Sequence, residues 1–421
     1  MQCELVVAAD PAATAAELRA LVPGAASVAG AVSEIIAAVR GGGDEAVLSY
    51  TRQLDTGGSE PKPLVVEDAE LDAAAAELEP AVRSGLDHAI ENVRRVAEAA
   101  PGLEAPPTVE FGTHTVTLRT AAVSAAAVYV PGGRAPYPST VVMGVVPARV
   151  AGVDTVAVCV PPRAEGDVDP VVLGACRLAG ASVVYRMGGA QAVAALAYGS
   201  QSVAPVDVIV GPGNLYVQEA KHQVSTHVGI DGFAGPSDLV AVAGADADPD
   251  VLALDLLAQA EHGSGTLVVA VSWSRELLEA VSSQLSDAPD TGAMARLVEV
   301  GELEDALTLA EELAPEHLQL TGGEAEELAP RVTRAGCLFV GADAGTAFGD
   351  YIAGSNHILP TGGAARFASG LAPWNFVRRF NEVRVTEPAG LADQAVPVAE
   401  AEGFELHARS MESRIRDNRP T

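Results

Sequence analysis

The run Val206-Asp207-Val208-Ile209-Val210-Gly211-Pro212-Gly213-Asn214, followed by Leu215 to Val224, decides the fold class. Val206 to Val210 reads as a short buried strand. Gly211 to Asn214 breaks it, and the next ten residues carry helical periodicity. Upstream, helix Thr140–Val150, strand Val153–Val160, helix Pro170–Leu178, strand Ser182–Arg186 and helix Ala190–Ala197 alternate in the same way. Such a βαβ succession demands a parallel sheet, with ligands at the carboxyl ends of its strands. The turn at Gly211–Asn214 leads from strand into helix, where backbone N–H groups can face an anion. The dinucleotide fingerprint GxGxxG is absent, so any nucleotide site is non-standard.

Downstream the alternation resumes with strand Leu239–Val242, helix Pro249–Glu261, strand Thr266–Val271, helices Arg275–Leu285 and Asp305–Leu313, and strand Cys337–Val340. The chain therefore holds two α/β blocks. The first hundred residues read as helical scaffold, 108–130 as extended chain with a period of two, and the tail from about 374 as short helices. With 421 residues, more than one core is expected. Aromatic content is 4%, so those cores rest on Ala, Val and Leu.

The formal charge of −30 repels a nucleic-acid backbone or an anionic membrane, and no apolar run is long enough to span a bilayer. Lysine occurs only at Lys62 and Lys221, which makes the placement of Lys221 notable. Cys3, Cys159, Cys176 and Cys337 lack CxxC spacing and read as free thiols in a reducing compartment. The N-terminus lacks a basic leader pattern, and a cytoplasmic location is expected.

Chemistry concentrates in the second block. In Asp255-Leu256-Leu257-Ala258-Gln259-Ala260-Glu261-His262, the residues Asp255, Gln259 and His262 share one helical face. A carboxylate, an amide and an imidazole on an apolar stripe are costly to bury unless something binds them. A divalent metal is one such partner; a helix end with a capping histidine is the plainer reading. His262, His317, His357 and His407 each lie near Glu261, Glu316, Asn356 and Glu402, in that order. Gln259, His262, Asp350 and His407 could supply the three or four N and O donors that zinc needs. Glu316-His317 could supply a general base and a water-orienting carboxylate.

Long motifs run through the chain: YVPGG at 129–133, PARVAGV at 147–153, GGAQAVAALAYG at 188–199, VDVIVGPGN at 206–214, AGPSD at 234–238, DLLAQAEH at 255–262, APEHL at 314–318 and GDYIAGSNHILPTGGAARFASGL at 349–371. On these the chain resembles the histidinol dehydrogenases over nearly its whole length. The resemblance implies zinc ligands at Gln259, His262, Asp350 and His407 and a catalytic pair at Glu316 and His317. It also implies substrate contacts at Ser237, His357 and Glu402, besides the metal ligands and His317, and NAD contacts at Tyr129, Gln191 and Asn214. The implied reaction is a four-electron oxidation of L-histidinol to L-histidine through the aldehyde, the last steps of histidine biosynthesis. A homodimer is implied as well, with Glu402 and His407 donated across its interface.

The expected architecture is two Rossmann-like α/β domains with small helical extensions. Residues 1–15 form an N-terminal extension, 16–128 with 237–370 a first domain carrying the metal and catalytic loops, 129–236 an NAD-binding domain, and 371–421 a C-terminal tail. Ala125-Ala126-Ala127, Glu311 and a short 283–301 segment depart from the family pattern. They leave room for a relative acting on another alcohol, such as a sulfonated diol. Glu402 and His357 argue against an anionic substrate. A zinc hydrolase would have no need of the glycine-rich strand ends, and a solute-binding protein no need of a Glu-His pair.

Overall fold

The computed structural model describes residues 1, 3–22, 25–102, 106–132, 135–232 and 235–415. Gly133 and Ala234, both within the motifs above, lie outside them. In chain order the strands are β1 (Cys3–Val7), β2 (Thr108–Glu110), β3 (His114–Ala122), β4 (Ala125–Tyr129), β5 (Thr155–Val160), β6 (Val183–Arg186), β7 (Val208–Val210), β8 (Gly229–Ile230), β9 (Asp238–Ala243), β10 (Leu267–Ser272), β11 (Met294–Glu299), β12 (His317–Thr321), β13 (Cys337–Val340) and β14 (Val377–Val385).

The chain divides into two compact units, Met1–Ala100 with Val123–Phe376, and Pro101–Ala122 with Val377–Thr421. The first unit holds two parallel sheets. One runs β1-β11-β10-β9-β12-β13 and the other β6-β5-β4-β7-β8. Helices cover both faces of each sheet, so the strands are apolar throughout rather than alternating; every residue of LVVAVS in β10 and DLVAVA in β9 is buried.

The two faces of the second sheet separate cleanly by residue parity. Ala126, Val128, Val156 and Val158 pack under the helices Asp68–Ala76, Pro80–Glu98, Pro138–Val150 and Pro170–Ala179. Ala127, Tyr129, Ala157 and Cys159 pack under Ala29–Gly42, Gly189–Tyr198 and Leu215–Val224. Small residues allow this closeness: a Cβ on Gly144 would lie 2.4 Å from Val128 Cγ1.

The α/β expectation agrees with this architecture, while several details differ. Residues 1–15 were expected as a helical extension, yet Cys3–Val7 is an edge strand in register with β11. Residues 16–128 were grouped with 237–370, yet the helices between 29 and 98 bury their apolar sides against the β4–β8 sheet. Their helical pattern announces an apolar face but not which sheet receives it. Within the helical scaffold expected over the first hundred residues, Asp68–Ala76 and Pro80–Glu98 are separate helices, with Pro80 at the first position of the second. The tail expected to be helical from about 374 opens with β14, whose residues are mostly exposed and show no apolar alternation to read.

The second unit is an antiparallel sheet, β14-β3-β2, with helices Pro388–Ala401 and Glu405–Glu412. Among the described residues, no helix is long and apolar enough to cross a membrane.

Candidate active site

In the first unit a cavity of about 650 Å³ is lined by Gly211–Leu215, Ser237, His262, Glu316, His317, Asp350 and His357, with others. Every lining residue belongs to that unit. Two different sheet ends supply them. From the β4–β8 sheet come the carboxyl ends of β4 and β7, where the strand order reverses. This is the position at which open α/β sheets bind ligands. From the other sheet come the amino ends: Ser237 and Asp238 open β9, and Glu316 and His317 open β12, its neighbour. The helix Pro249–Ala260 leaves the carboxyl end of β9 and returns to the amino end of β10, delivering Gln259 and His262 to the same edge.

The polar groups are chained. Gln259 Nε2 donates to Ser237 Oγ at 2.5 Å, and Ser237 Oγ donates to Glu316 Oε2. Asp238 N–H donates to the same Oε2 at 3.1 Å, and Glu316 N–H donates to Asp238 Oδ1 at 2.6 Å. Behind them Arg19, from the helix Pro11–Ala20, pairs with Asp238 Oδ2 at 2.7 Å. His317 Nδ1 lies 3.8 Å from Glu316, and its Nε2 lies 3.5 Å from Asp350 Oδ1. His357 Nδ1 donates to the Asp350 carbonyl at 3.0 Å, and its Nε2 lies 3.2 Å from Thr140 Oγ1. Ala314, just ahead of the pair, adopts a left-handed conformation at φ 46°, a strained state for a residue with a Cβ.

Burial and charge set the protonation. Burial pushes the Glu316 carboxyl up to about 7, against the pull of His317. Burial opposes protonation of His317, but Glu316 and Asp350 overcome it and raise the imidazole to about 9. Burial would raise Asp350, yet the bond from His317 and the neighbouring imidazoles hold it below the usual range. Burial lowers both His262 and His357. A carboxyl that titrates near neutrality beside a charged imidazole is equipped for general acid–base work.

Three of the four expected zinc donors meet in this unit. Gln259 spends its Nε2 on Ser237, with His262 Nδ1 3.5 Å from the same atom, which leaves Oε1 as the atom able to meet a cation, and the Asp350 carboxylate acts electrostatically on His262. Amide oxygen, imidazole and carboxylate suit zinc. Among the described residues no group of three His, Cys, Asp or Glu could hold a metal by itself. The fourth donor, His407, and Glu402 belong to the second unit, where they border a hollow with Val398, Phe404 and Met411. Asp255, the third residue of the helical stripe, accepts from Gln319 Nε2 at 2.6 Å instead of facing the cavity.

Of the residues expected at NAD, Asn214 lines the cavity and caps the helix Leu215–Val224 through Oδ1, which accepts from Tyr216 and Val217 N–H. Tyr129 and Gln191 are buried and are not among the residues lining the cavity. Tyr129 Oη accepts from Gly189 N–H at 3.0 Å, while Gln191 Oε1 has no hydrogen-bond partner. Of the departures, Glu311 accepts from Thr333 and Arg334 N–H and fixes the loop before β13. Sequence reading missed Arg19, Asp238 and Thr140. Asp238 sits inside a quoted motif, whereas nothing local marks Arg19.

The family model for histidinol dehydrogenase matches residues 23–415. Histidinol dehydrogenase of Gluconobacter oxydans (strain 621H) is 40% identical over 409 residues, covering 93% of this chain and 94% of the relative. That of Rhodospirillum rubrum is 42% identical over 398 residues, covering 91% of each. The crystal structure of histidinol dehydrogenase from Elizabethkingia anophelis superposes with a TM-score of 0.89 at 28% identity, covering 98% of both chains.

Proposed function

The chain belongs to the histidinol dehydrogenase family, and on that premise we propose that it oxidises L-histidinol to L-histidine in two successive NAD-dependent steps. The observation that carries this reading is that Ser237, Glu316, His317 and Asp350 line one cavity together with the turn Gly211–Asn214, Gln259 bonding to Ser237 and Ser237 to Glu316, with His317 3.8 Å from Glu316 and 3.5 Å from Asp350.

Overall, one alcohol, two NAD⁺ and one water give one carboxylate, two NADH and three protons. NAD⁺ would supply the hydride acceptor in both steps, and the Gly211–Asn214 turn at a helix N-terminus suits its diphosphate. Zinc, held by Gln259, His262 and Asp350, would fix the amino alcohol in place more than activate water. With Asp350 taken up by the metal, His317 would lose a carboxylate that holds it charged, and in its neutral form it takes the proton of the substrate hydroxyl as the carbinol carbon is oxidised. Glu316 then takes a proton from the water that adds to the aldehyde, and its titration near 7 allows it to pass that proton on. Ser237 and Asp238 hold the carboxylate in one orientation for both steps. His357, tied to the Asp350 carbonyl and Thr140, stands where it can contact the substrate.

The donor set of the first unit is one ligand short, and Glu402 and His407 lie on a tail bearing the exposed side chains Phe404 and Leu406. This supports a homodimer in which each tail completes the partner's site. The four free cysteines fit a cytoplasmic enzyme.

The test is NADH formation with L-histidinol, with and without a chelator. Two NADH per histidinol, lost on chelation and restored by zinc, is the expected result. Absence of NADH from folded, zinc-loaded protein would overturn the assignment.

A further inference from the structure

Lys221 is one of only two lysines and among the largest fully buried side chains of the described residues, at 0% exposure. Nothing in the proposed chemistry uses it. It lies near the end of the helix Leu215–Val224, with its Nζ directed back to the turn that starts that helix. Nζ donates to the Gly211 carbonyl at 3.0 Å and pairs with Asp231. Asp231 follows β8, lines the cavity, and accepts from Gly211 N–H through Oδ2 at 2.7 Å. Both backbone groups of Gly211 are thus held by the two halves of one ion pair.

Gly211 is the residue where such a hold matters. Its φ is +116°, and a Cβ there would lie 2.2 Å from the Tyr129 carbonyl oxygen. The backbones of β4 and β7 meet at this point, and the direction in which Pro212, Gly213 and Asn214 leave it sets the cavity wall. Gln218, on the same helix, adds a bond to the Gly213 carbonyl at 3.4 Å. An interior ion pair is a poor stabiliser compared with well-packed apolar side chains, because both charges are stripped of water. What it supplies is directed hydrogen bonding, here to the two peptide groups that flank the Gly211 Cα.

We propose that Lys221 and Asp231 are a positioning pair for dinucleotide binding, holding the Gly211–Asn214 turn in the shape that receives NAD⁺. The pair touches no reacting atom. The inference rests on the proposed NAD-dependent reaction and adds a residue pair that determines affinity for one of its two substrates.

The test compares the intact protein with the double variant Lys221→Met/Asp231→Asn, which removes both charges together and leaves no buried ion unpaired. Its unfolding midpoint is measured beside its kinetics and its NAD⁺ affinity by calorimetry. We expect a KM and Kd for NAD⁺ raised about tenfold or more, with kcat at saturating NAD⁺ and the KM for histidinol within about twofold. A folded double variant with the original NAD⁺ affinity overturns the pair's role, as does one in which both KM values rise equally. Should the double variant not fold, Asp231→Glu decides, since it keeps both charges and shifts the carboxylate away from Gly211 N–H. A raised Kd for NAD⁺ supports the pair, and an unchanged Kd overturns it. Intact protein that binds NAD⁺ but leaves histidinol unoxidised would sink the proposed reaction and leave the pair to be judged by Kd. Intact protein that binds no NAD⁺ overturns both.

Discussion

Asp238 and Glu316, 78 residues apart, exchange hydrogen bonds in both directions: each backbone N–H donates to the other's carboxylate. The exchange is possible because β9 and β12 are parallel neighbours with His317 opposite Leu239, which sets Glu316 and Asp238, one residue earlier on each, side by side. It locks the Glu316 carboxylate to the edge of a sheet. A glutamate on a free loop would lose that orientation.

Glu316→Gln preserves the volume and an acceptor for Ser237 and Asp238 but cannot take a proton. We expect kcat to fall by about 10²–10⁴. Stability should not fall with it. The Glu316 carboxyl is raised to about 7 from an ordinary 4.5, so ionising it in the fold works against stability as pH climbs between those values. Above pH 7 the variant should unfold at the same or a higher denaturant concentration. Parallel loss of activity and stability would mean that Glu316 is structural.

Arg19 approaches this pair from the far N-terminus of the chain. Its partner Asp238 is 2% exposed in the side chain, whereas Arg19 is 24% exposed. Removing one partner of a buried pair commonly costs 3–5 kcal/mol, and the partial exposure of Arg19 brings the expectation for Arg19→Met down to about 2–3 kcal/mol. Because Asp238 also fixes Glu316, kcat should drop as well, with Arg19→Lys recovering part of both. Urea unfolding and steady-state rates on the three proteins check this.

How much of this was legible follows from what each feature needs. Parallel α/β architecture was readable because buried strands and their helices leave local, periodic marks, as at Val206–Val224. Glu316, His317, Gln259 and His262 were readable as unusual polar residues in apolar settings. Arg19 was not, since an arginine near a helix end looks like any solvated charge until the fold brings Asp238 to it. The amino-end location of the Glu316 cluster was also hidden. The strand-end rule points to the carboxyl edge, and only the return of the helix Pro249–Ala260 shows why polar groups gather at the opposite one. β14 escaped because an exposed strand has no apolar face to announce it.

Gly211→Ala tests the close meeting of β4 and β7. The substitution places a Cβ 2.2 Å from the Tyr129 carbonyl oxygen on a backbone at φ +116°. Strain and overpacking together should destabilise the fold by on the order of 3 kcal/mol. The neighbouring Gly232→Ala is the control: its φ of +146° is also unfavourable for a side chain, but nothing lies within 4 Å of the new Cβ. A much smaller loss in the control, by urea unfolding, would assign the effect to the collision.

Asp55 gives a pH-dependent prediction away from the metal donors. It caps the end of the helix Asp44–Leu54, and Gln191 Nε2 donates to its carboxylate at 3.5 Å. Burial raises its carboxyl to about 6 from an ordinary 3.8. The fold therefore binds this proton more tightly than the unfolded chain does. The stabilisation is complete below pH 3.8, declines as pH rises from 3.8 to 6, and is gone above that window. At pH 7 the ionised group handicaps the fold by roughly 1–2 kcal/mol after allowance for its partial solvent access. Asp55→Asn removes the handicap while keeping an acceptor for Gln191. The variant should be more stable than the parent at pH 7 to 8 and equal to it near pH 4, so the two unfolding curves converge on acidification. A constant difference across that range would show that Asp55 acts through packing and not through its charge.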